Sequence, residues 1–187
     1  MKIKNKTLLI VVCVGLLILS NSCSSIPKKA EAVQNFEVDR YLGTWYEIAR
    51  LDFRFEKNLD NVSANYSFDK KGNIVVSNSG FNEDKQVWKQ AIGKAKFRDG
   101  KQIGKLKVSF FGPFYAGYNV IALDENYQYA LVIGKNLNYL WILSRTKDIP
   151  DNIKTNFLAL ASEIGYDISN LVWVEHNRND NPFLNEK

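Results

Sequence analysis

The sequence predicts an all-β fold with one helix: an eight-stranded antiparallel up-and-down β-barrel with a C-terminal α-helix packed on its outside. Eight short runs rich in β-branched and aromatic residues follow one another, each closed by a turn signal. Helical periodicity appears once, after the eighth run. Gly43-x-Trp45 opens the first run and Arg145 closes the eighth. If those two strands are neighbours, the guanidinium can lie over the indole and seal one end, a contact worth about 1–2 kcal/mol when desolvated. Eight strands in a meander close most simply into a barrel whose interior holds one small ligand. Sealed at one end and open at the other, such a barrel is a cup.

The chain begins with an address. Lys2, Lys4 and Lys6 precede an almost wholly apolar stretch, 7–19, and then Ser20-Asn21-Ser22-Cys23. A basic start, a short apolar core and small residues before a cut describe a secretory signal peptide over 1–22. The apolar stretch is too short to remain as a membrane-spanning helix. The Cys after small residues resembles a bacterial lipobox, although Ser20 stands where Leu is usual and Leu19 is one place further away. That resemblance makes Cys23 the lipidated first residue of a mature chain, with a plain secreted protein as the alternative. Residues 23–35 read as a tether, 36–176 as the barrel domain and 177–187 as a frayed polar tail.

Composition bounds the rest. Without residues 1–22 the chain keeps 165 residues, enough for one domain with a sizeable core. Its 22 basic and 20 acidic side chains leave a net charge near +2, too mild to argue for nucleic acid. Cys13 leaves with the signal, so Cys23 stands alone and no internal disulfide can form. The fold rests on packing.

The strands are read at 44–51, 62–68, 73–81, 86–97, 105–111, 117–124, 128–133 and 138–145, joined by signals such as Asp69-Lys70-Lys71-Gly72 and Arg98-Asp99-Gly100. Pro150 can open the helix because its first position needs no amide hydrogen. Ile153, Phe157, Leu160, Ala161 and Ile164 form one apolar stripe, and Gly165 can stop it. Leu171-Val172-Trp173-Val174 reads as a last short strand.

Strand parity then selects inward residues. Trp45 facing in places Glu47, Ala49 and Leu51 inside; Arg145 places Leu143, Trp141 and Tyr139 inside, with Tyr139 nearest the mouth. A carboxylate at 47 needs a partner or a proton, and Arg145 or a tyrosine hydroxyl is the expected partner. Counting up and down builds the mouth from 52–60, 82–85, 112–116 and 134–137. Two of these loops carry Phe53, Phe55, Phe114 and Tyr115. Either these rings fold back as a lid or they contact membrane or ligand. Lys89 falls on the inner face near the mouth by the same parity, and Arg50 and Arg54 lie near the same rim; one of them could meet a ligand carboxylate or phosphate, although solvated charges are the ordinary outcome.

The segments Gly43-Thr44-Trp45-Tyr46-Glu47-Ile48-Ala49-Arg50, Lys107-Val108-Ser109-Phe110-Phe111-Gly112-Pro113-Phe114-Tyr115, Gly117-Tyr118-Asn119-Val120-Ile121-Ala122-Leu123-Asp124 and Tyr139-Leu140-Trp141-Ile142-Leu143-Ser144-Arg145 resemble the lipocalins. More narrowly, they resemble the bacterial lipocalin lipoproteins of the apolipoprotein D type. Gly43 and Trp45 match the family's first signature and Arg145 its third. The second, commonly Thr-Asp-Tyr, is Leu123-Asp124-Glu125 here, so Asp124 carries over. The resemblance implies that Gly43, Trp45, Asp124 and Arg145 close the barrel. The family's inward positions add Val62, Ala64 and Tyr66; Val76 and Asn78; Ala91, Gly93 and Ala95; Leu106, Val108 and Phe110; and Tyr118, Val120 and Ala122. The expected ligand contacts are Ala64, Tyr66, Val76, Asn78, Ala91, Val108, Phe110, Tyr118, Tyr139 and Trp141.

The resemblance further implies a carrier of fatty acids or lysophospholipids at the bacterial outer membrane, held through an N-terminal lipid anchor, with no cofactor. An acyl chain can supply the affinity alone. At about 0.8 kcal/mol per buried CH₂, about fourteen methylenes give about 11 kcal/mol gross, against an association cost on the order of 4 kcal/mol or more. Two other classes compete. An enzyme on this fold would need acid–base chemistry from Glu47 or tyrosines, since the lone mature-chain histidine, His176, lies beyond the last strand and no Gly-x-Ser-x-Gly occurs. Haem carriage is disfavoured because no histidine falls in the expected cavity. A partner-binding module would use the aromatic rim. A homodimer built from rim or outer-face surfaces stays open.

Overall fold

The structure is a computed structural model that describes residues 25–184. The signal-peptide and lipidation readings at 1–22 and Cys23 lie outside the described residues. One-turn helix α1 (Val38–Tyr41) precedes eight strands, β1 (Gly43–Leu51), β2 (Leu59–Phe68), β3 (Ile74–Asn82), β4 (Val87–Phe97), β5 (Lys105–Ser109), β6 (Ala116–Leu123), β7 (Tyr129–Ile133) and β8 (Leu140–Ser144). Helix α2 (Asp151–Ile164), a 3₁₀ turn (Ile168–Asn170) and β9 (Leu171–Trp173) follow.

Every neighbouring pair is antiparallel, and the sheet closes because β1 bonds β2 on one side and β8 on the other. The pairing runs from Gly43↔Tyr66 at the floor, through Trp45↔Ala64, to Arg50↔Trp141 toward the mouth. β9 adds outside the closed ring, pairing with the upper half of β1 through Ala49↔Trp173 and Leu51↔Leu171.

Two cores result from the alternation of side chains. The lumen holds Trp45, Tyr66, Ile74, Val76, Ala95, Leu106, Val108, Val120, Ala130, Val132 and Leu143, with Phe36, Tyr41 and Tyr127 packed beneath. The outer core lies between the barrel wall and α2, where Phe157, Ala161 and Ile164 cover Ile48, Ile121, Leu131, Ile133, Leu140 and Ile142. Gly165 ends α2 in a left-handed conformation at φ 114°.

Two β-bulges reverse the expected parity. In β1 the register slips between Glu47 and Ala49, so Ile48 and Ala49 both face the outer core and Arg50 enters the lumen. Ala49 and Leu51 are therefore outward, contrary to simple alternation. In β6 a slip between Val120 and Ala122 turns Ile121 and Ala122 outward and Leu123 inward. Ala122 is thus outer-core packing rather than lining.

The chain ends also differ from expectation. Val33 donates to Val120 O at 2.9 Å and accepts from Gly104 at 2.9 Å, and Phe36 donates to Gln102 O, so part of the segment read as a tether is strapped along the barrel. The C-terminal segment crosses the outside of β2 and β3 instead of fraying. Asn61 Oδ1 accepts from Arg178 N at 2.8 Å, Asn181 donates to Ser79 Oγ at 2.9 Å, and the Arg178 guanidinium lies 3.9 Å from the Phe81 ring centroid.

Candidate functional site

The floor is built as the spacing requires. The Arg145 guanidinium carbon lies 3.9 Å from the Trp45 ring centroid. Its nitrogens donate to three carbonyls, Thr44 O at 2.8 Å, Arg40 O at 2.9 Å and Tyr127 O at 3.2 Å. The Trp45 indole N–H donates to Tyr41 O at 2.8 Å. Gly43 at φ 91° lets the backbone pass beside Arg145, whose Nη1 stands 3.4 Å from where a Cβ would sit. Asp124 holds the adjacent turn, its carboxylate accepting from the amides of Asn126, Gln128 and Tyr129. Gly43, Trp45 and Arg145 thus meet at one end, and Asp124 holds the neighbouring β6–β7 turn, whose Tyr127 carbonyl Arg145 also reaches.

Above the floor, three phenols form a chain. Tyr118 OH lies 2.7 Å from Tyr41 OH and accepts from Tyr66 OH at 2.8 Å. Burial holds all three above the ordinary tyrosine range, so they stay protonated and their hydroxyls satisfy one another.

The next layer carries a buried ion pair that alternation alone does not disclose. Arg50 Nη1 meets Glu47 Oε1 at 2.9 Å, and both side chains are almost wholly buried. Arg50 also reaches Asp52 Oδ1 at 3.4 Å and Glu56 O at 2.9 Å. The partner of Glu47 is therefore Arg50, and neither Arg145 nor a tyrosine. Arg50 is a lumen residue rather than a solvated rim charge. Burial, with the Glu56 charge adding to it, raises the proton affinity of Glu47, and Arg50 opposes both. Glu56 projects from the rim loop to accept from the Trp141 indole at 3.1 Å. Burial pushes its carboxyl up to about 6 against that hydrogen bond and Arg50. A Glu three residues before an Arg was visible in the sequence; the bulge that puts both on one face was not.

The expected lining residues separate by height. Tyr66, Val76 and Val108 are buried in the lower lumen with Tyr118 beside them. Ala64, Phe110 and Trp141 are partly buried against that cluster. Phe110 covers Gly93, where its ring would stand 2.8 Å from an added Cβ. Along β4 the inward set opens upward: Ala95 and Gly93 are buried, whereas Ala91 and Lys89 are exposed. Asn78, across from Ala64 and Ala91, shares that upper face, and its Oδ1 is buried without a hydrogen-bond partner in the structure.

At the mouth Phe53 folds back, 5.5 Å from the Tyr139 ring and 5.8 Å from Trp141, and Tyr139 stacks on Trp141 at 6.1 Å. The rim aromatics therefore divide. Phe53 acts as a partial lid, whereas Phe55, Phe114 and Tyr115 remain exposed. His176 lies outside the barrel, its Nε2 2.8 Å from Glu47 O. Two surface depressions of about 310 and 250 Å³ also lie outside the lumen, one at the closed end beside Gln34 and Lys101, the other under the C-terminal strap beside Tyr46 and Arg178. Among the described residues no group of three or more His, Cys, Asp or Glu side chains is placed to hold a metal ion.

This architecture matches known proteins over most of its length. Residues 36–176 match the family model of the lipocalin-like domain. The chain is 50% identical over 164 residues to outer membrane lipoprotein Blc of Citrobacter freundii, covering 88% of this chain and 93% of the relative. It is 47% identical over 159 residues to the Vibrio cholerae protein of the same name, covering 84% and 93%. Mouse apolipoprotein D is 35% identical over 148 residues, covering 74% and 76%. Among solved structures, insecticyanin from the tobacco hornworm Manduca sexta superposes with a TM-score of 0.63 at 23% identity, covering 78% of this chain and 84% of its own, which speaks to the fold alone. The sealed floor, the closed eight-stranded ring and these relatives agree: the chain belongs to the lipocalin family.

Proposed function

We infer that this protein is an outer-membrane lipoprotein of the bacterial envelope that binds and carries a fatty acid or lysophospholipid in its barrel. The observation that carries the reading is the vertical gradient of the lumen. Its floor is filled by Trp45 and the three phenols, while its upper wall is lined by small or amphipathic groups and opens to solvent at Ala91. An acyl chain would lie against Ala64, Val76, Ala91, Val108 and Phe110, with Tyr66 and Tyr118 below its methyl end and Trp141 and Tyr139 gripping it near the mouth. Asn78 Oδ1 and the Glu47–Arg50–Glu56 group would meet its polar end or ordered water. The proposed anchor is an acylated Cys23. The names of the bacterial relatives support both the anchor and the membrane.

Delipidated protein titrated with a fluorescent fatty acid should bind it saturably at micromolar or lower concentration, and a lysophospholipid should displace it. Absence of saturable binding would overturn the reading.

A further inference from the structure

The two ends of the barrel present different surfaces. The loops at the mouth expose Phe114 (79%), Phe111 (69%), Phe55 (62%), Tyr115 and Leu137, whereas Phe68 is the one large exposed hydrophobic beside a closed-end loop among the described residues. Cations flank these rings. The Arg54 guanidinium lies 4.7 Å from the Phe55 centroid, and the ammonium groups of Lys107 and Lys96 lie 5.2 and 6.0 Å from Tyr115. The acids of the first rim loop turn away from this surface, Asp52 toward Arg50 and Glu56 toward Trp141. Glu83 and Asp84 sit on the neighbouring β3–β4 loop.

The N-terminal strap is an independent observation. It climbs the outside of the barrel from Phe36, bonded to Gln102 at the closed end, past Val33, bonded to Val120, to Ser25. Ser25 O accepts from Asn119 at 3.0 Å and lies 3.3 Å from the point where a Gly117 side chain would begin, beside Lys135 of the mouth. The chain therefore leaves the described residues at the open end. One residue separates Ser25 from Cys23, a reach of about 7 Å when fully extended. An acyl group on Cys23 is thus delivered to the same side as the exposed aromatic rings.

The geometry points to a fixed orientation: the barrel mouth docks on the membrane that holds the lipid anchor, with the rings of Phe55, Phe111, Phe114 and Tyr115 in the interfacial layer and Arg54, Lys96 and Lys107 against anionic headgroups. Aromatic rings favour that layer, and basic side chains near an anionic surface add attraction. The lipid surface is the occupant because the anchor ends there and because cations frame the apolar tips. The mouth then opens toward lipid, so cargo enters or leaves without crossing bulk water. This inference rests on the acylation of Cys23 proposed above.

The test uses the full lipoprotein in vesicles of phosphatidylethanolamine and phosphatidylglycerol, with a nitroxide attached to Phe114→Cys at the mouth or to Lys101→Cys at the closed end. Both positions are exposed, so neither change threatens folding. The ratio of oxygen to nickel-chelate accessibility should be several-fold higher at 114 than at 101. Equal ratios with one nitroxide per chain would overturn the docking while leaving the anchor intact. Two nitroxides per chain would reveal a free Cys23 thiol and overturn the anchor together with the orientation. Loss of access to both reagents that grows with protein density would mean that a second copy covers the rim, and would also overturn it.

Discussion

Glu47 and Arg50 form a 2.9 Å ion pair inside the barrel although they stand three residues apart on one strand. On a regular strand that separation puts two side chains on opposite faces. The bulge after Glu47 admits Ile48 as an extra residue and rotates Arg50 inward, opposite Trp141. The strand thereby gives two consecutive apolar side chains, Ile48 and Ala49, to the outer core and a charge pair to the lumen.

Breaking this pair should be costly and pH-dependent. In Arg50→Leu the Glu47 carboxylate keeps its burial and loses its counter-ion, a change of about 3–5 kcal/mol. The loss should be largest at neutral and alkaline pH and shrink in acid, where Glu47 takes up a proton. Urea unfolding from pH 4 to 8 measures it. Glu47→Gln combined with Arg50→Met should recover most of the loss, because no unpaired charge remains.

Glu56 sets a separate pH response. Its folded-state value of about 6 lies above the ordinary 4.5, so between those limits the folded state binds more protons than the unfolded chain. Its contribution to stability is complete below about 4.5 and is lost as pH rises through about 6, by about 1–2 kcal/mol. Glu56→Gln should flatten the stability profile across that window while keeping an acceptor for Trp141. Thermal melts of the two proteins at half-unit pH steps provide the comparison.

The floor seal predicts a graded series. Arg145→Ala removes the ring contact and strands the carbonyls of Thr44, Arg40 and Tyr127, which should cost about 2–4 kcal/mol. Arg145→Lys should recover only part, since a single ammonium cannot reproduce the planar fork. Gly43→Ala should cost about 1–3 kcal/mol by forcing a side chain to adopt φ 91°. Equilibrium unfolding in guanidinium ranks the three.

The upper lumen can be filled from the wall. Ala91→Trp places a large ring on the inward face at the level of Asn78 and Ala64. It should weaken fatty-acid binding at least about tenfold, about 1.4 kcal/mol, with little change in stability because Ala91 is exposed. Its neighbour Ile92 points outward, and Ile92→Trp should leave the affinity unchanged.

Much of this was legible in the sequence because long-range features were written in strong local signals. The eight strands, α2 with its Gly165 stop, and the Gly43–Trp45–Arg145 floor all follow from turn residues, periodicity and one signature pairing. The errors share one cause. Parity counting assumes an uninterrupted pleat, and the bulges at Ile48 and Ile121 leave no clear mark in composition. They moved Ala49, Leu51 and Ala122 outward and brought Arg50 in. The chain ends depart from the sequence expectation for another reason. Polar side chains suggest solvent, but Asn61, at φ 53°, accepts from the Arg178 amide and Asp60 from the Glu175 amide, each across more than a hundred residues, a pairing no local pattern announces.

The most direct measurement is an isotope-edited nuclear Overhauser experiment between a saturating fatty acid and the methyl-labelled, delipidated protein. Contacts from the acyl chain to the methyls of Ala64, Val76 and Ala91, absent at Ile92 and along α2, are expected. Contacts confined to the outer wall or the rim, with Ala64 and Val76 silent, would contradict a lumenal binding site.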